Sequence, residues 1–226
     1  MKPLLRNPVY HSLLYNDGHL GNSSGKVAWF DEVVSPFVGF EEGYEQGFAE
    51  LYHLLPAGRR ILFAAPVSIE PPKDWKLVVA VEGLQFLYES ETIAQDDSFQ
   101  PTKLGAEHVE QMMELTSLTK PGPFGPRTIE FGHYYGVFEG SRLAAMTGQR
   151  LHIQNFTEIS AVCTHPECLG KGYATALLQH QVALILQQQQ IPFLHVRADN
   201  HRAIAVYERL GFTLQGSMNF YFLKKE

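Results

Sequence analysis

The chain of 226 residues lacks most of the features that mark secreted or membrane proteins. It contains only two cysteines, Cys163 and Cys168, which are too few for the disulfide framework of a secreted domain. No run approaches the roughly 18 uninterrupted apolar residues of a membrane-spanning helix. The first residues also lack an apolar segment long enough for a secretory signal. These absences predict a cytoplasmic protein with no membrane partner.

Positive charge is also scarce. Lysine and arginine number 18 against 24 aspartates and glutamates, and the formal net charge is −6. A general nucleic-acid binder needs a basic footprint, so the balance predicts no nucleic-acid partner. Apolar residues make up 45% and charged residues 19% of the chain, which is typical of a globular protein with an ample core. The length allows one large domain or two small ones.

Residues 1–97 contain elements of structure but no group of catalytic residue types. Ser35 and Pro36 resemble a helix start, and aromatic and leucine residues follow at three- and four-residue intervals to Leu55, which predicts a helix. The runs 60–65 and 77–81 predict buried strands. A polar, acidic stretch follows, and we predict a boundary between an N-terminal region, 1–97, and a second domain, 98–226.

The second domain begins with a predicted helix over 103–116. The loop from Pro121 to Pro126 holds three prolines and two glycines, so it is either a plain connector or the shaped wall of a substrate site. Three antiparallel strands are predicted next, and a hairpin closes the chain. These strands are expected over 131–138, 142–147 and from Glu158, and the hairpin over 212–214 and 220–223.

A glycine-bearing loop lies between a strand and a long helical pattern. The strand Ile159–Thr164 is followed by a proline turn, then by Gly170, Lys171 and Gly172, and then by the helix. Successive N–H groups at a helix start favour phosphate, small residues admit it, and Lys171 adds charge. The loop matches neither the P-loop nor the dinucleotide fingerprint, because Thr175 stands where the latter needs glycine.

Two further features carry chemistry. Asn200, Ala203 and Tyr207 recur at three and four residues and therefore share a helix face, although a helix cap and a half-buried core tyrosine would give the same pattern. Glu158 precedes the loop on its strand, on the same face as Val162 by strand alternation. It is placed either as a base or as a solvated charge at the strand end.

Together these features resemble the GNAT superfamily of acyl-CoA-dependent N-acyltransferases. The family's pyrophosphate motif, Gln/Arg-x-x-Gly-x-Gly/Ala, aligns with 169–174, and Asn-x-x-Ala-x-x-x-Tyr-x-x-x-Gly-Phe is met in full from Asn200 to Phe212. Leu169 departs from the usual Gln or Arg, which removes a side-chain contact to the cofactor but keeps the backbone amide.

The resemblance implies an α+β fold, with a central mixed, mostly antiparallel and V-splayed sheet flanked by helices. The N-terminal region would be a degenerate half of the same fold. The sheet would splay between the fourth and fifth strands of the domain, with the pantetheine arm of acetyl-CoA in the gap. The implied cofactor-binding residues are Val162, Cys163, Thr164, Leu169, Gly170, Lys171, Gly172, Tyr173, Ala174, Asn200 and Ala203.

The implied activity is transfer of an acetyl group from acetyl-CoA to a primary amine, without a metal. Glu158 would act as the base, through water, and Tyr207 as the acid for the departing thiolate. The acceptor would be a small-molecule amine, an amino acid or a peptide. The alternative is a non-catalytic acyl-CoA-binding sensor or scaffold. The oligomeric state stays open.

The residues disfavour two other chemistries at this stretch. Cys163, His165 and Cys168 lack a fourth ligand at the spacing of a zinc site. Cys163 as a covalent nucleophile would need a base and an exposed thiolate, whereas its strand position predicts packing. For His195, on the next strand, a structural hydrogen bond is favoured over catalysis.

Overall fold

The computed structural model describes residues 1–94 and 99–226, so the predicted domain boundary at 97 and 98 lies outside the described residues. The helices are α1 Pro8–Tyr15, α2 Gly47–Leu54, α3 Val109–Thr119, α4 Tyr173–Gln187 and α5 His201–Arg209. The strands are β1 Gly21–Ser24, β2 Val27–Phe30, β3 Phe37–Phe40, β4 Arg60–Ala65, β5 Trp75–Tyr88, β6 Thr102–Lys103, β7 Tyr135–Glu139, β8 Arg142–Ile153, β9 Phe156–Thr164, β10 Ile191–Arg197 and β11 Phe212–Lys225.

The eleven strands of residues 1–94 and 99–226 join one sheet in the order β1-β2-β3-β4-β11-β5-β10-β9-β8-β7-β6. The pairs β3–β4 and β9–β10 are parallel, and the other neighbours are antiparallel. Helices pack on this sheet through hydrophobic clusters, for example α4 and α5 against β5, β9 and β10. The predicted α+β class with a mixed, mostly antiparallel sheet is therefore confirmed.

The N-terminal region and the second domain share this sheet. β5, which precedes the predicted boundary, lies between β10 and β11, and it pairs with β11 along its full length. The strand that bridges the second domain therefore comes from the first part of the chain. The interpretation of the N-terminal region as a degenerate half of the same fold stays a prediction.

The predicted helix from Ser35 to Leu55 is wrong in its first half. Phe37–Phe40 is a strand that pairs with β2 and β4, and a helix forms only from Gly47. The Ser35 hydroxyl accepts a hydrogen bond from the Phe37 N–H (3.3 Å), so it shapes a turn rather than a helix start. Short apolar runs fit both the helical and the strand periodicity, and here pairing with the neighbouring strands stabilises the strand.

The predicted C-terminal hairpin is also wrong. β11 is one continuous strand with a bulge between Leu214 and Gly216, and it pairs with β4 on one side and β5 on the other. The residues between 214 and 220, which resembled a turn in the sequence, form this bulge and the strand that continues after it. The run 77–81 does lie in a strand, but it is not buried, because Leu77, Val78 and Val79 are 40%, 56% and 46% exposed.

The predicted antiparallel meander is present as β7, β8 and β9. Beyond it, β9 and β10 pair only where Phe156–Glu158 meets Ile191–Phe193. After these three pairs the two parallel strands separate, which gives the splay that the resemblance implied. None of the helices in the described ranges is both long and apolar enough to cross a bilayer.

Candidate active site

A cavity of about 1410 Å³ opens where β9 and β10 separate. Residues 159–164 of β9 line it on one side, and residues 195–197 of β10 line it on the other. The glycine loop and α5 close one end. Residues Lys120–Phe124, which include the start of the proline loop, also line the cavity. The interpretation of that loop as the shaped wall of a site therefore fits better than its interpretation as a plain connector.

A bulge at Ala161 turns the backbone of β9 beside this gap. Ala161 has φ +53°, and two residues of β9 stand opposite one of β8 between Gly148–Ser160 and Met146–Cys163. The extra residue shifts the side-chain alternation, so Val162 packs in the same hydrophobic cluster as Ile159. The expected common face of Glu158 and Val162 is therefore wrong.

The glycine loop has the geometry of an anion site. Gly170 and Gly172 adopt φ +81° and +83°, and Gly172 caps α4 without a side-chain hydrogen bond. The structure shows no hydrogen bond from the N–H groups of residues 170–174 to any other described part of the chain. Unpaired N–H groups at the N-terminus of a 15-residue helix favour phosphate.

Lys171 is placed differently from the other loop residues. Its Nζ lies 2.6 Å from Glu139 Oε1, and Tyr173 donates its hydroxyl to the same oxygen (3.0 Å). The hydrogen bonds from Lys171 and then Tyr173 hold the pKa of Glu139 below its usual range. Lys171 is absent from the cavity wall, while Leu169, Gly170, Gly172, Tyr173 and Ala174 belong to it.

In place of Lys171, other cationic side chains line the cavity, and the sequence analysis did not identify them. Arg202 and Arg209 stand two helical turns apart on α5 and share its cavity side. Their seven-residue spacing is the signal that could have identified them. The described wall holds five cationic side chains and no Asp or Glu, although the chain as a whole is acidic. These cations are Lys120, Arg150, Arg197, Arg202 and Arg209.

The motif of Asn200, Ala203 and Tyr207 on α5 lines the cavity. Asn200 Oδ1 accepts a hydrogen bond from the Ala203 N–H (3.2 Å), so Asn200 caps the helix, and both residues line the wall. Tyr207 also lines it and packs between the rings of Phe86 and Phe212. Burial raises the pKa of Tyr207 to about 12, so its phenol stays protonated throughout the neutral range.

Glu158 lies behind the wall rather than in it. Its side chain is 1% exposed, and its oxygens accept hydrogen bonds from Arg150 Nε and Nη2, both at 2.8 Å. His195 Nδ1 lies 2.7 Å from Oε1. Burial alone would raise the pKa of Glu158, but the charge and hydrogen bonds of Arg150, and then His195, lower it to about 2. Arg150 and His195 both line the cavity, so the two partners of Glu158 lie between its carboxylate and the cavity.

His195 makes the structural hydrogen bonds that the sequence predicted. Gln85 Nε2 lies 2.9 Å from His195 Nε2 and 2.9 Å from the Leu5 carbonyl oxygen. Since this amide is a donor to both, His195 accepts at Nε2 and donates its Nδ1–H to Glu158. Gln85, on β5, thus fixes the tautomer of a residue in the cavity wall.

The cysteines are arranged for packing. Cys163 and Cys168 are both buried and free, and burial raises the pKa of Cys163 to about 12. A thiol with that pKa is a poor nucleophile at neutral pH. The part of the chain that the structure describes holds no group of three or more His, Cys, Asp or Glu side chains that could bind a metal ion.

Comparisons with known proteins identify the family of the chain. The model of a family described as "FR47-like protein" matches residues 134–222. A protein assigned to the GNAT family of acetyltransferases, from Novosphingobium aromaticivorans, is 32% identical over 100% of both chains, with a TM-score of 0.92. The chain therefore belongs to the GNAT superfamily of acyl-CoA-dependent N-acyltransferases.

More distant structures share the fold alone. A GCN5-related N-acetyltransferase from Kribbella flavida is 13% identical over 95% of this chain and 93% of its own, with a TM-score of 0.60. An acetyltransferase of the GNAT family from Colwellia psychrerythraea is 14% identical over 100% and 98%, with a TM-score of 0.55. Among curated proteins, none gives a significant match.

Proposed function

We propose that the protein is an acetyl-CoA-dependent N-acetyltransferase that acts on a primary amine. One observation carries the proposal. A single cavity, lined by cations and by no described carboxylate, joins the anion-binding loop of α4 to the phenol of Tyr207 through the gap between β9 and β10. An acyl-CoA would need a loop for its pyrophosphate, a gap for its pantetheine arm and an acid beside its thioester sulfur, in this order.

The residues present fit coenzyme A. The N–H groups of 170–174 would bind the pyrophosphate, and Arg202 and Arg209 offer charge for phosphate beside it. Residues 162–164 have no strand partner on their β10 side, so their backbone is available to the pantetheine amides. Asn200 and Ala203 would face the same arm. The bound thioester would supply the acetyl group.

The chemistry is direct transfer. The nitrogen of a neutral amine forms a bond with the thioester carbonyl carbon, the carbon–sulfur bond breaks, and Tyr207 gives its proton to the leaving thiolate. The surplus proton of the amine leaves towards Glu158, the proposed base. Since Arg150 and His195 bind both Glu158 oxygens and both His195 ring nitrogens are engaged, that proton would travel through water, and a proton returned through solvent would restore the Tyr207 phenol.

A thiol-release assay tests the function directly. With acetyl-CoA and a broad panel of amines, we expect CoA release that depends on the amine and yields the acetylated amine by mass spectrometry. Tight binding of acetyl-CoA without release from any amine would instead support a non-catalytic acyl-CoA sensor.

Gly172 tests the loop. The Gly172→Ala variant should weaken CoA binding about tenfold, because an L-residue resists φ +83° by about 1 kcal/mol and the new methyl group projects into the open side of the loop. Isothermal titration calorimetry measures the affinity, and urea denaturation measures the free energy of unfolding.

Gly140 provides a matched control. It has φ +61°, a Cβ there would also meet open space, and it lies outside the cavity wall. The Gly140→Ala variant should lose similar stability and keep its CoA affinity. Equal CoA affinities in the two variants would contradict a phosphate site at Gly172.

A further inference from the structure

The cavity has a second end, which is built from different elements. Its walls there come from β3, β4, β5 and β11, three of which belong to the N-terminal region, and their side chains are apolar. The residues are Phe37, Leu62, Val81, Phe220 and Phe222. The glycine loop and the α5 arginines belong to the opposite, phosphate-binding end. This apolar chamber is therefore the space available to the acceptor.

Arg150 supplies the charge of the apolar chamber. Its Cζ lies 4.8 Å from the centre of the Phe37 ring, so the guanidinium stacks on one wall of the chamber. Nε and Nη2 bind Glu158, which holds the guanidinium in one orientation. Nη1 has no hydrogen bond to any described residue. It does not belong to the buried polar atoms that lack a partner, so it is accessible. Since Arg150 lines the cavity, Nη1 is its free donor there.

The nature of the wall restricts the acceptor further. A polyamine, an aminoglycoside or a lysine-rich peptide carries several positive charges, and it would need carboxylates to bind. Within the described residues every charged side chain of the wall is a cation, and the carboxylates of Glu158 and Asp199, which pair with Arg150 and Arg197, are not part of it. A guanidinium donor inside an apolar pocket favours a carboxylate attached to an apolar body.

We infer that the acceptor is an α-amino acid with a large apolar side chain. Its carboxylate binds Arg150 Nη1, and its side chain packs against Phe37, Phe220 and Phe222. The amine, one carbon from the carboxylate, then faces the thioester. This assignment rests on the proposed function and names its substrate class. In the reaction the amide bond forms at that amine, the thioester bond breaks, and the carboxylate stays unchanged.

Binding measurements test the inference apart from turnover. N-acetyl-L-phenylalanine and N-acetylphenethylamine differ only in the carboxylate, and calorimetry on the CoA-loaded protein gives both affinities. We expect the carboxylate to tighten binding roughly 10- to 150-fold, as a hydrogen bond to a charged group does. Equal affinities would overturn the inference.

Turnover gives a second comparison. L-Phenylalanine should exceed both phenethylamine and glycine in kcat/KM by at least about tenfold, because the first competitor lacks the carboxylate and the second the apolar body. Turnover of amines without this preference would overturn the inference and leave the proposed function standing. Preferential binding of the carboxylate ligand without any turnover would support the carboxylate site and contradict the transferase.

Variants assign the preference to residues. Replacing Arg150 alone strands a buried carboxylate, so the neutral pair Arg150→Gln/Glu158→Gln is the variant to use. It should bind both acetylated ligands with similar affinity, while CoA affinity is retained. The Phe222→Ala variant should raise KM for L-phenylalanine and leave KM for glycine nearly unchanged. A carboxylate preference that persists in the double variant would overturn the role of Arg150.

Discussion

The Tyr207→Phe variant should turn over acetyl-CoA about 100-fold or more slowly than the wild type, with unchanged affinity for the cofactor. Loss of a general acid lowers a rate by roughly 10²- to 10⁴-fold, and phenylalanine preserves the packing between Phe86 and Phe212. The structure shows no hydrogen bond from this hydroxyl to other described residues, so its removal should leave the free energy of unfolding nearly unchanged. Thiol release and calorimetry measure the two effects.

The pH dependence adds a second signature. A phenol with a pKa of about 12 keeps its proton, so kcat of the wild type should show no loss from Tyr207 ionisation between pH 7 and about 10. Tyr15, half exposed and outside the cavity, gives the control variant Tyr15→Phe, which should retain wild-type kcat. Equal kcat values for Tyr207→Phe and the wild type would remove Tyr207 from the chemistry.

The Glu158→Gln variant should lose about 3–5 kcal/mol of unfolding free energy. The substitution leaves the Arg150 charge without its carboxylate partner, and Arg150 is only 11% exposed. Urea denaturation at pH 7 measures the loss. A change below about 1 kcal/mol would show that solvent reaches and screens this pair.

Acid should produce the same loss in the wild type. The folded pKa of Glu158, about 2, lies below its unfolded value of roughly 4.3. Its contribution to stability is therefore complete above about pH 4.3 and is lost as the pH falls towards 2. Glu158→Gln should show a shallower decline across this window, which denaturation at pH 6, 4 and 3 can measure.

A double variant separates the structural role of Glu158 from a catalytic one. Arg150→Met/Glu158→Leu replaces the ion pair with apolar side chains, which in other proteins restores or raises stability. Assayed with an amine that has no carboxylate, it isolates the proposed base. Wild-type stability combined with a low kcat would support Glu158 as the base. Wild-type stability combined with a wild-type kcat would show that Glu158 has only a structural role.

The parts of the site that the sequence predicted are local in the chain. The glycine loop and the Asn200–Phe212 pattern depend on spacing within one strand–loop–helix or one helix, so their residues meet whatever the rest of the chain does. The cavity places nearly all of them together, which supports their proposed roles. Lys171 is the exception in the loop, because Glu139 approaches it from β7, a contact that no local pattern encodes.

The parts that the sequence missed depend on pairing between distant segments. Arg150 faces Glu158 because of the β8–β9 register, and Gln85 reaches His195 because β5 lies beside β10. A shift of one residue would send either side chain to the other face. The continuous β11 was missed for the same reason, because its partners, β4 and β5, are far away in sequence.

The position of β5 between β10 and β11 also affects how the chain folds during synthesis. Trp75 stands opposite Lys225 and Tyr88 opposite Phe212, so the central strand can be enclosed only after the last strand has left the ribosome. Long-range pairing of this kind slows folding. Until then, the apolar run at 77–79 has no β11 beside it, and a nascent chain truncated before residue 212 should be prone to aggregate.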